Sequence, residues 1–144
     1  MSAHSLTFRK FREYAESLGA STSPRRILVV DDDEMVRQFV ARALVLAGYR
    51  VETARSGSEA LDAFDSGATF DLVISDVKMP SMSGPRFIER LRGAEPDLKV
   101  LYLTGYKNQL FAERGTLYPD EALLEKPCTV NGLLEAVATQ IHLS

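Results

Sequence analysis

Side chains able to do chemistry follow four short apolar runs of this sequence. Aspartates follow the first run, a serine and an aspartate the second, a threonine the third, and a lysine with a proline the fourth. If these runs are strands of one parallel sheet, the side chains meet at its carboxyl edge, where ligands of such sheets bind. The side chains concerned are Asp31, Asp32, Asp33, Ser75, Asp76, Thr104 and Lys126.

Three of the carboxylates, Asp31, Asp32 and Asp76, are predicted to form a magnesium site. Crowded carboxylates repel one another unless they take up protons or a cation joins them. Oxygen ligands with room for water favour a hard divalent ion, and Mg²⁺ fits best. With a threonine and a lysine opposite, such a site suits a phosphoryl group that a carboxylate attacks as a nucleophile. Asp33 has an equal alternative, which is to cap the helix that follows it.

The runs that position these residues are predicted to be strands. Nearly continuous apolar stretches of three or four residues are typical of strands buried on both faces of a parallel sheet. The sequence between Tyr49 and Ala54 alternates instead, as an edge strand does. The apolar runs are Ile27–Val30, Leu72–Ile74, Val100–Leu103 and Ala122–Leu124.

Segments of helical period separate the strands. Residues 56–59 have a capping-box pattern that begins the second helix. Gly115 and Pro119 limit the segment after Lys107 to a short fourth helix. Alternation of strand and helix five times predicts a doubly wound α/β sheet with helices on both faces. The first helix is expected to end at Gly48 and to present one apolar face, formed by Val36, Phe39, Val40, Ala43 and Ala47.

Composition excludes several classes of protein. The chain has 144 residues, a formal net charge of -3 and 45% hydrophobic residues, which fits one globular domain and argues against nucleic-acid binding. No apolar run reaches the ~18 residues that a membrane span needs, so we expect no membrane insertion. The start of the sequence has no apolar stretch typical of a secretion signal, and the single cysteine suits a reducing compartment. We therefore expect a cytoplasmic protein.

Residues 1–24 form a predicted extension that precedes a main domain at residues 25–144. Phe11, Tyr14, Ala15 and Leu18 recur at helical spacing, and a polar stretch ending at Pro24 follows as a linker. Two interpretations have equal weight. The segment is either a solvated, tag-like extension or an amphipathic helix that packs on the domain or on a partner.

Four motifs in register give the chain a specific resemblance. The sequence is similar to response-regulator receiver domains of two-component and phosphorelay systems, over Arg25 to about Leu143. Within that family, the sequence resembles receivers attached to hybrid histidine kinases and some stand-alone regulators. The resemblance implies a flavodoxin-like five-stranded parallel sheet of order 2-1-3-4-5. The motifs are Val29–Asp33, Ser75–Pro80, Thr104-Gly105 and Glu125–Pro127.

The resemblance also implies roles for individual residues. Asp76 is expected to be the phosphoacceptor, taking a phosphoryl group from a histidine kinase or a histidine phosphotransfer protein. Asp32 would bind Mg²⁺ directly and Asp31 through water, with Mn²⁺ as a substitute metal. Asp76 and the backbone carbonyl of Lys78 would complete the protein's share of the metal shell.

Other expected roles concern the phosphoryl group itself. Thr104 would hydrogen-bond one phosphoryl oxygen and Lys126 would pair with another. Pro127 is a cis-peptide candidate, because the bond after the lysine is often cis in this family. The side chains of Lys78 and Tyr106 flank the site, and we expect them to modulate the rate at which phosphate is lost. An alternative of equal weight is that both are exposed loop residues without a role in this reaction.

The sequence departs from the family pattern at its switch position. Family members commonly have an aromatic residue three positions before the lysine, whereas this chain has Leu123. The coupled threonine–aromatic switch is therefore in doubt, and filling the core is the favoured role of Leu123. Cys128 follows the lysine motif and is interpreted as a small buried hydrophobe rather than a redox sensor.

Three functional hypotheses follow from these residues. The first is a phosphoacceptor, not an enzyme, that signals through protein contacts to a downstream target without a DNA-binding output domain. We expect such a chain to be a monomer, or a weak dimer that forms on phosphorylation. The second is a pseudo-receiver that binds partners without phosphate, kept open by Leu123. The third is a phosphohydrolase of the haloacid-dehalogenase type, which turnover of a small phosphoester would reveal, although Met35 departs from that family's motif.

Overall fold

The computed structural model describes residues 24–142. The extension predicted for residues 1–24 therefore lies almost entirely outside the described residues. Five strands alternate with five helices along the described chain. In chain order they are β1 (Arg26–Val30), α1 (Glu34–Leu46), β2 (Arg50–Ala54), α2 (Gly57–Asp65), β3 (Leu72–Ser75), α3 (Gly84–Arg92), β4 (Val100–Thr104), α4 (Lys107–Arg114), β5 (Glu121–Glu125) and α5 (Val130–Ile141).

The five strands form one parallel sheet in the order β2-β1-β3-β4-β5. This confirms the predicted doubly wound fold, and β2 lies at the sheet edge as its alternating sequence indicated. The interpretation of the apolar run in β5 was partly wrong. β5 is the other edge strand, so Ala122, Leu123 and Leu124 are only half-buried, whereas every residue of β3 and β4 is buried.

Two hydrophobic cores lie on opposite faces of the sheet. Successive side chains of a strand point to opposite faces of the sheet, so Leu28 and Val30 belong to one core and Ile27 and Val29 to the other. The first core contains residues of α2 and α3, and the second contains residues of α1 and α5. Each fully buried aliphatic side chain contributes roughly 1.5–3 kcal/mol to folding, which makes this sheet a rigid support for its edge.

Side chains at the strand-to-helix junctions cap four of the helices. Asp33 accepts hydrogen bonds from the backbone N–H of Met35 at 2.9 Å and of Val36 at 3.2 Å, so its capping interpretation is confirmed. Three hydroxyls do the same elsewhere: Ser56 for α2, Ser83 for α3 and Thr129 for α5. The fourth helix, α4, has no side-chain cap and buries only Leu110. It is a two-turn helix that ends before Gly115, whose φ is 76°, in agreement with the short helix predicted.

The first helix differs from its prediction on one side. Val40, Ala43 and Leu44 are buried, whereas Phe39 is 41% exposed although the sequence pattern placed it on the buried face. The helix turns about 100° per residue, so a buried stripe centred on Val40 and Leu44 leaves Phe39 at its margin. Among residues 24–142, no helix is long and apolar enough to cross a membrane.

Candidate functional site

The carboxyl ends of β1, β3 and β5 bring two aspartates and a lysine into direct contact. The ammonium of Lys126 donates to Asp31 Oδ2 at 2.8 Å and to Asp76 Oδ2 at 3.0 Å. Asp31 and Asp76 are buried, and the side chain of Lys126 is largely covered. The peptide bond between Lys126 and Pro127 is cis. Residues far apart in the sequence therefore form one charged cluster at the edge where parallel sheets bind ligands.

Burial and ion pairing oppose each other in this cluster. Burial raises the pKa of Asp31, against the hydrogen bonds that Lys126 and the backbone N–H of Asp33 donate to it. Burial also disfavours the charged form of Lys126, but its hydrogen bonds to Asp31 and Asp76 hold the pKa of the lysine above its usual value. The lysine thus keeps its charge where two carboxylates converge.

The acidic residues also have the composition of a metal site. Asp31, Asp32 and Asp76 each offer a carboxylate oxygen, and these oxygens lie within 4.8 Å of one another. Asp32 is exposed, whereas the other two are buried, so the oxygens converge on a place that solvent reaches. An oxygen-only set with open sides is the donor type that Mg²⁺ prefers, since this ion keeps several of its waters. The residues present therefore fit a hard divalent cation.

A cleft of about 700 Å³ opens in front of the cluster. Thr104 is fully buried at the end of β4, and its hydroxyl oxygen accepts a hydrogen bond from the N–H of Tyr106 at 3.0 Å. The cleft is large enough for a phosphoryl group and water. Its lining residues are Asp32, Asp33, Val36, Asp76, Lys78, Met79, Pro80, Gly105, Tyr106 and Lys126.

Lys78 and Tyr106 meet across the mouth of this cleft. The Lys78 ammonium lies 4.8 Å from the centre of the Tyr106 ring, which is cation–π geometry. The two residues come from different loops, one after β3 and the other after β4. The pair therefore links both loops over the pocket that contains Asp76.

Gly84 is a structural requirement of the site that the sequence-based reasoning missed. A Cβ added at Gly84 would stand 2.0 Å from the backbone oxygen of Asp76. The same oxygen accepts a hydrogen bond from the Ser75 hydroxyl at 2.8 Å, and the N–H of Gly84 donates to Val77 at 2.8 Å. The start of α3 thus packs directly on the backbone that carries Asp76. The Ser-Gly pair at residues 83 and 84, after the Met-Pro turn, was the available signal.

Leu123 at the switch position and its neighbour Tyr102 both pack in the core on one face of the sheet. Leu123 is half-buried and packs against the core beside its strand partner Tyr102. Tyr102 is fully buried, and its hydroxyl oxygen accepts a hydrogen bond from Arg114 at 3.0 Å. Burial, with the nearby Glu121 carboxylate, raises the pKa of Tyr102.

A buried ion-pair network at the end of α4 was not anticipated. The fully buried Glu121 carboxylate accepts from Arg92 at 3.1 Å and also contacts Arg114. Burial opposes its ionisation, but the hydrogen bonds from Arg114, the Tyr118 backbone and Arg92 hold the pKa of Glu121 below its usual value. Arg114 also lies over the Tyr118 ring at 4.1 Å. The network fixes the irregular end of α4 to β5. It could not be predicted from the sequence, because charged residues are mostly exposed and nothing in their local pattern indicates burial.

The chain matches a known family over most of its length. Residues 27–138 match the family model described as the response regulator receiver domain. This chain therefore belongs to the response regulator receiver family, the receiver domains of two-component systems, which confirms the resemblance inferred from its four motifs.

Its relatives include parts of kinases and of response regulators. The chain is 36% identical over 131 residues to the sensor kinase CckA of Brucella abortus, covering 90% of this chain and 14% of that protein. It is 40% identical over 111 residues to the response regulator MprA of Mycolicibacterium vanbaalenii, covering 77% of this chain and 48% of that protein. The chain thus spans half or less of the length of these relatives.

Solved structures agree with the fold. The receiver domain of the hybrid histidine kinase CckA has a TM-score of 0.69 at 36% identity, covering 81% of this chain and 99% of that one. The chemotaxis response regulator CheY4 of Vibrio cholerae has a TM-score of 0.72 at 35% identity, covering 82% and 99%. Both are receiver folds of nearly the size of the described domain.

Proposed function

We propose that this chain is a phosphoacceptor that receives a phosphoryl group on Asp76 from a phosphohistidine of a kinase or phosphotransfer protein. The observation that carries the proposal is the contact of Lys126 with both Asp31 and Asp76 at the open edge of the sheet. A carboxylate held beside an ammonium and two further acidic groups is suited to attack phosphorus in the presence of a metal ion.

The acidic residues have complementary roles in this proposal. Asp31, Asp32, Asp76 and the backbone carbonyl of Lys78 would hold Mg²⁺ or Mn²⁺, which when bound supplies positive charge for the phosphoryl oxygens. Lys126 supplies a second positive charge from the opposite side. Thr104 would donate its hydroxyl proton to a phosphoryl oxygen, since its oxygen already accepts from the N–H of Tyr106.

The transfer itself is a simple exchange of bonds. A carboxylate oxygen of Asp76 forms a bond to phosphorus while the bond between phosphorus and the donor histidine nitrogen breaks. The electron pair of that bond stays on the donor imidazole, whose other ring nitrogen carries a proton, so the ring leaves as neutral histidine. The product is an acyl phosphate on Asp76, whose added negative charge lies beside the Lys126 ammonium.

Signalling from this state would use protein contacts. Leu123 is an aliphatic residue that packs against the core, so the usual inward swing of an aromatic ring is not available at this position. We propose that the face of α4, β5 and α5 carries the response to a downstream protein, because α4 is short and lacks a side-chain cap. A monomer, or a dimer that forms weakly on phosphorylation, fits this role.

A magnesium-dependent gain of mass tests the proposal. Incubation with acetyl phosphate and Mg²⁺ is expected to add one phosphoryl group, detected by intact mass spectrometry, and chelation of the metal should prevent it. Asp32→Asn removes the exposed carboxylate of the cluster and should raise the Mg²⁺ concentration required on the order of tenfold. Asp97→Asn, an exposed aspartate between α3 and β4, should leave that concentration unchanged.

Failure of both small-molecule and protein donors would contradict this function. If neither acetyl phosphate nor a panel of phosphorylated histidine phosphotransfer proteins adds a phosphoryl group, the pseudo-receiver hypothesis is correct. The acidic cluster would then serve only as part of a docking surface.

Tyr106→Ala is expected to shorten the lifetime of the phosphorylated protein. The substitution removes the ring that Lys78 covers at 4.8 Å and opens the cleft to water. Loss of one cation–π contact of about 0.5–1 kcal/mol corresponds to a rate increase of roughly two- to fivefold. The decay of the phosphorylated mass after removal of the donor measures this rate.

Tyr118→Ala is the matched control, because Tyr118 is similarly exposed but lies beside Arg114, away from the cleft. An unchanged lifetime in Tyr106→Ala would show that Lys78 and Tyr106 are ordinary loop residues.

A further inference from the structure

An exposed stripe of large side chains runs the length of α1. Met35, Phe39 and Leu46 are 82%, 41% and 58% exposed, and the exposed Arg42 lies between the last two. Their spacing of four, three and four residues places them on one face of the helix. Large apolar side chains left in solvent along one helix face indicate a contact surface.

Two adjoining grooves border this stripe. One groove, of about 320 Å³, follows α1 from Met35 to Leu46 and reaches Val130 at the start of α5. The other, of about 530 Å³, shares Met35 and Phe39 and extends to Cys128 beside the lysine motif. A second helix laid along the stripe would therefore meet grooves that can receive its side chains, which is how packed helices interdigitate.

We infer that the stripe binds a second copy of this same chain, with the two α1 helices packed antiparallel about a two-fold axis. The spacing of the stripe is the same in both directions along the helix, so its centre lies midway between Phe39 and Arg42. A two-fold axis through this centre places Met35 opposite Leu46 of the other copy, and Phe39 opposite its Arg42. A surface that matches itself in this way is what a closed symmetric dimer requires.

The side chains that this axis brings together are chemically matched. Met35 and Leu46 remove apolar surface of each other from water. The ring of Phe39 offers its face to the guanidinium of Arg42 in a cation–π contact, and the symmetry makes each contact twice. A parallel pairing of the same stripes would instead bring Arg42 against Arg42, and opposed like charges repel. The stripe therefore favours the antiparallel direction.

The charges at the two ends of α1 favour the same direction. The N-terminal end carries the exposed Asp33 and Glu34, and Arg50 is exposed just beyond the C-terminal end. None of the ion pairs within residues 24–142 includes Arg42 or Arg50. Antiparallel packing brings the acidic end of each helix to the basic end of the other, so the opposite charges attract.

The size of the stripe indicates a weak dimer. Stable protein interfaces bury roughly 800 Å² on each partner, whereas this contact uses one face of a 13-residue helix. We therefore expect reversible pairing with a dissociation constant on the order of 100 µM. The pairing involves no phosphoryl group, so its test is independent of the proposed function.

Sedimentation equilibrium of the unphosphorylated full chain measures this association over the range from about 10 µM to 1 mM. Arg42→Glu removes both cation–π contacts of the dimer and should raise the dissociation constant at least about tenfold. Arg90→Glu is the matched control and should leave the constant unchanged. Arg90 is also an exposed helical arginine, but it belongs to α3, which packs on the opposite face of the sheet.

Disulfide trapping measures the direction and register of the pair. In a Cys128→Ser background, Met35→Cys and Leu46→Cys proteins mixed under mild oxidation should give mainly the mixed disulfide, identified by intact mass. Identical positions would lie about 16 Å apart in the antiparallel pair, whereas a disulfide needs a Cα separation of roughly 4.4–6.8 Å. In the control mixture, Glu89→Cys on α3 replaces Leu46→Cys and should give little mixed product.

Four results would overturn the inference. They are a protein that stays monomeric up to about 1 mM, equal association of Arg42→Glu and the unchanged protein, self-disulfides of Met35→Cys as the main product, and use of the stripe by a different protein. The last would be shown if Arg42→Glu weakened binding of a histidine phosphotransfer protein to a chain that is itself monomeric. Circular dichroism spectra that match the unchanged protein show that each variant is folded, as the exposure of these side chains leads us to expect.

Discussion

Asp76→Asn is expected to abolish phosphorylation by acetyl phosphate, with a loss of at least about a hundredfold in the modified fraction. An amide oxygen is a far weaker nucleophile than a carboxylate, and the substitution leaves the shape of the side chain almost unchanged. Asp76 is buried, but the 2.8 Å contact of Lys126 with Asp31 does not depend on the Asp76 carboxylate, so the domain should stay folded. Intact mass after incubation with Mg²⁺ and the donor measures the effect.

Asp97→Asn is the matched control for this loss. It removes the same charge from an exposed site on the chain between α3 and β4, and its phosphorylation should equal that of the unchanged protein. A full gain of one phosphoryl group in Asp76→Asn would show that another residue is the acceptor. Peptide mapping of the modified protein would then identify it.

Gly84→Ala is expected to destabilise the domain by about 2–4 kcal/mol. The added Cβ would stand 2.0 Å from the backbone oxygen of Asp76 and 2.9 Å from the Ser75 hydroxyl oxygen. The Asp76 oxygen belongs to the backbone and cannot rotate out of the way, so the start of α3 must move away from β3. Urea denaturation measures the free energy of unfolding, and the same variant should phosphorylate poorly because Asp76 is displaced.

Gly105→Ala provides the control for a glycine beside the site. A Cβ at Gly105 meets no atom within 4 Å, and this residue also lines the cleft. Its free energy of unfolding should change by no more than about 0.5 kcal/mol. Equal stabilities of the two alanine variants would show that the loop after Asp76 adapts easily and that Gly84 is not required there.

Most of the fold was predictable because buried strands and helix starts have local signatures. The apolar runs of β1, β3 and β4 are continuous because both faces of a parallel sheet are covered, and this pattern is visible in the sequence. Ser56 and Asp33 cap their helices through bonds to residues two or three positions away, which a sequence also reveals. The strand order was predicted from the resemblance to receiver domains, and the structure has this same order.

The exposure of individual side chains was less predictable. The run in β5 has the composition of a buried strand but lies at an edge, because burial depends on which strand is the neighbour rather than on the run itself. Phe39 shares the helical period of core residues but lies at the margin of the buried stripe of α1. The helical period shows which side chains of one helix share a face, but it does not show how much of that face the rest of the fold covers.

The sequence by itself determined which side chains lie together at the carboxyl edge of the sheet. Two aspartates and a lysine at strand ends have only one edge at which to meet once the strands are parallel, so Asp31, Asp76 and Lys126 were predictable as a cluster. Only the tertiary structure decided the contacts between distant loops and helices. The Lys78–Tyr106 pair, the approach of Gly84 to Asp76 and the groove along α1 depend on packing between segments, and packing distances have no signature in local residue order.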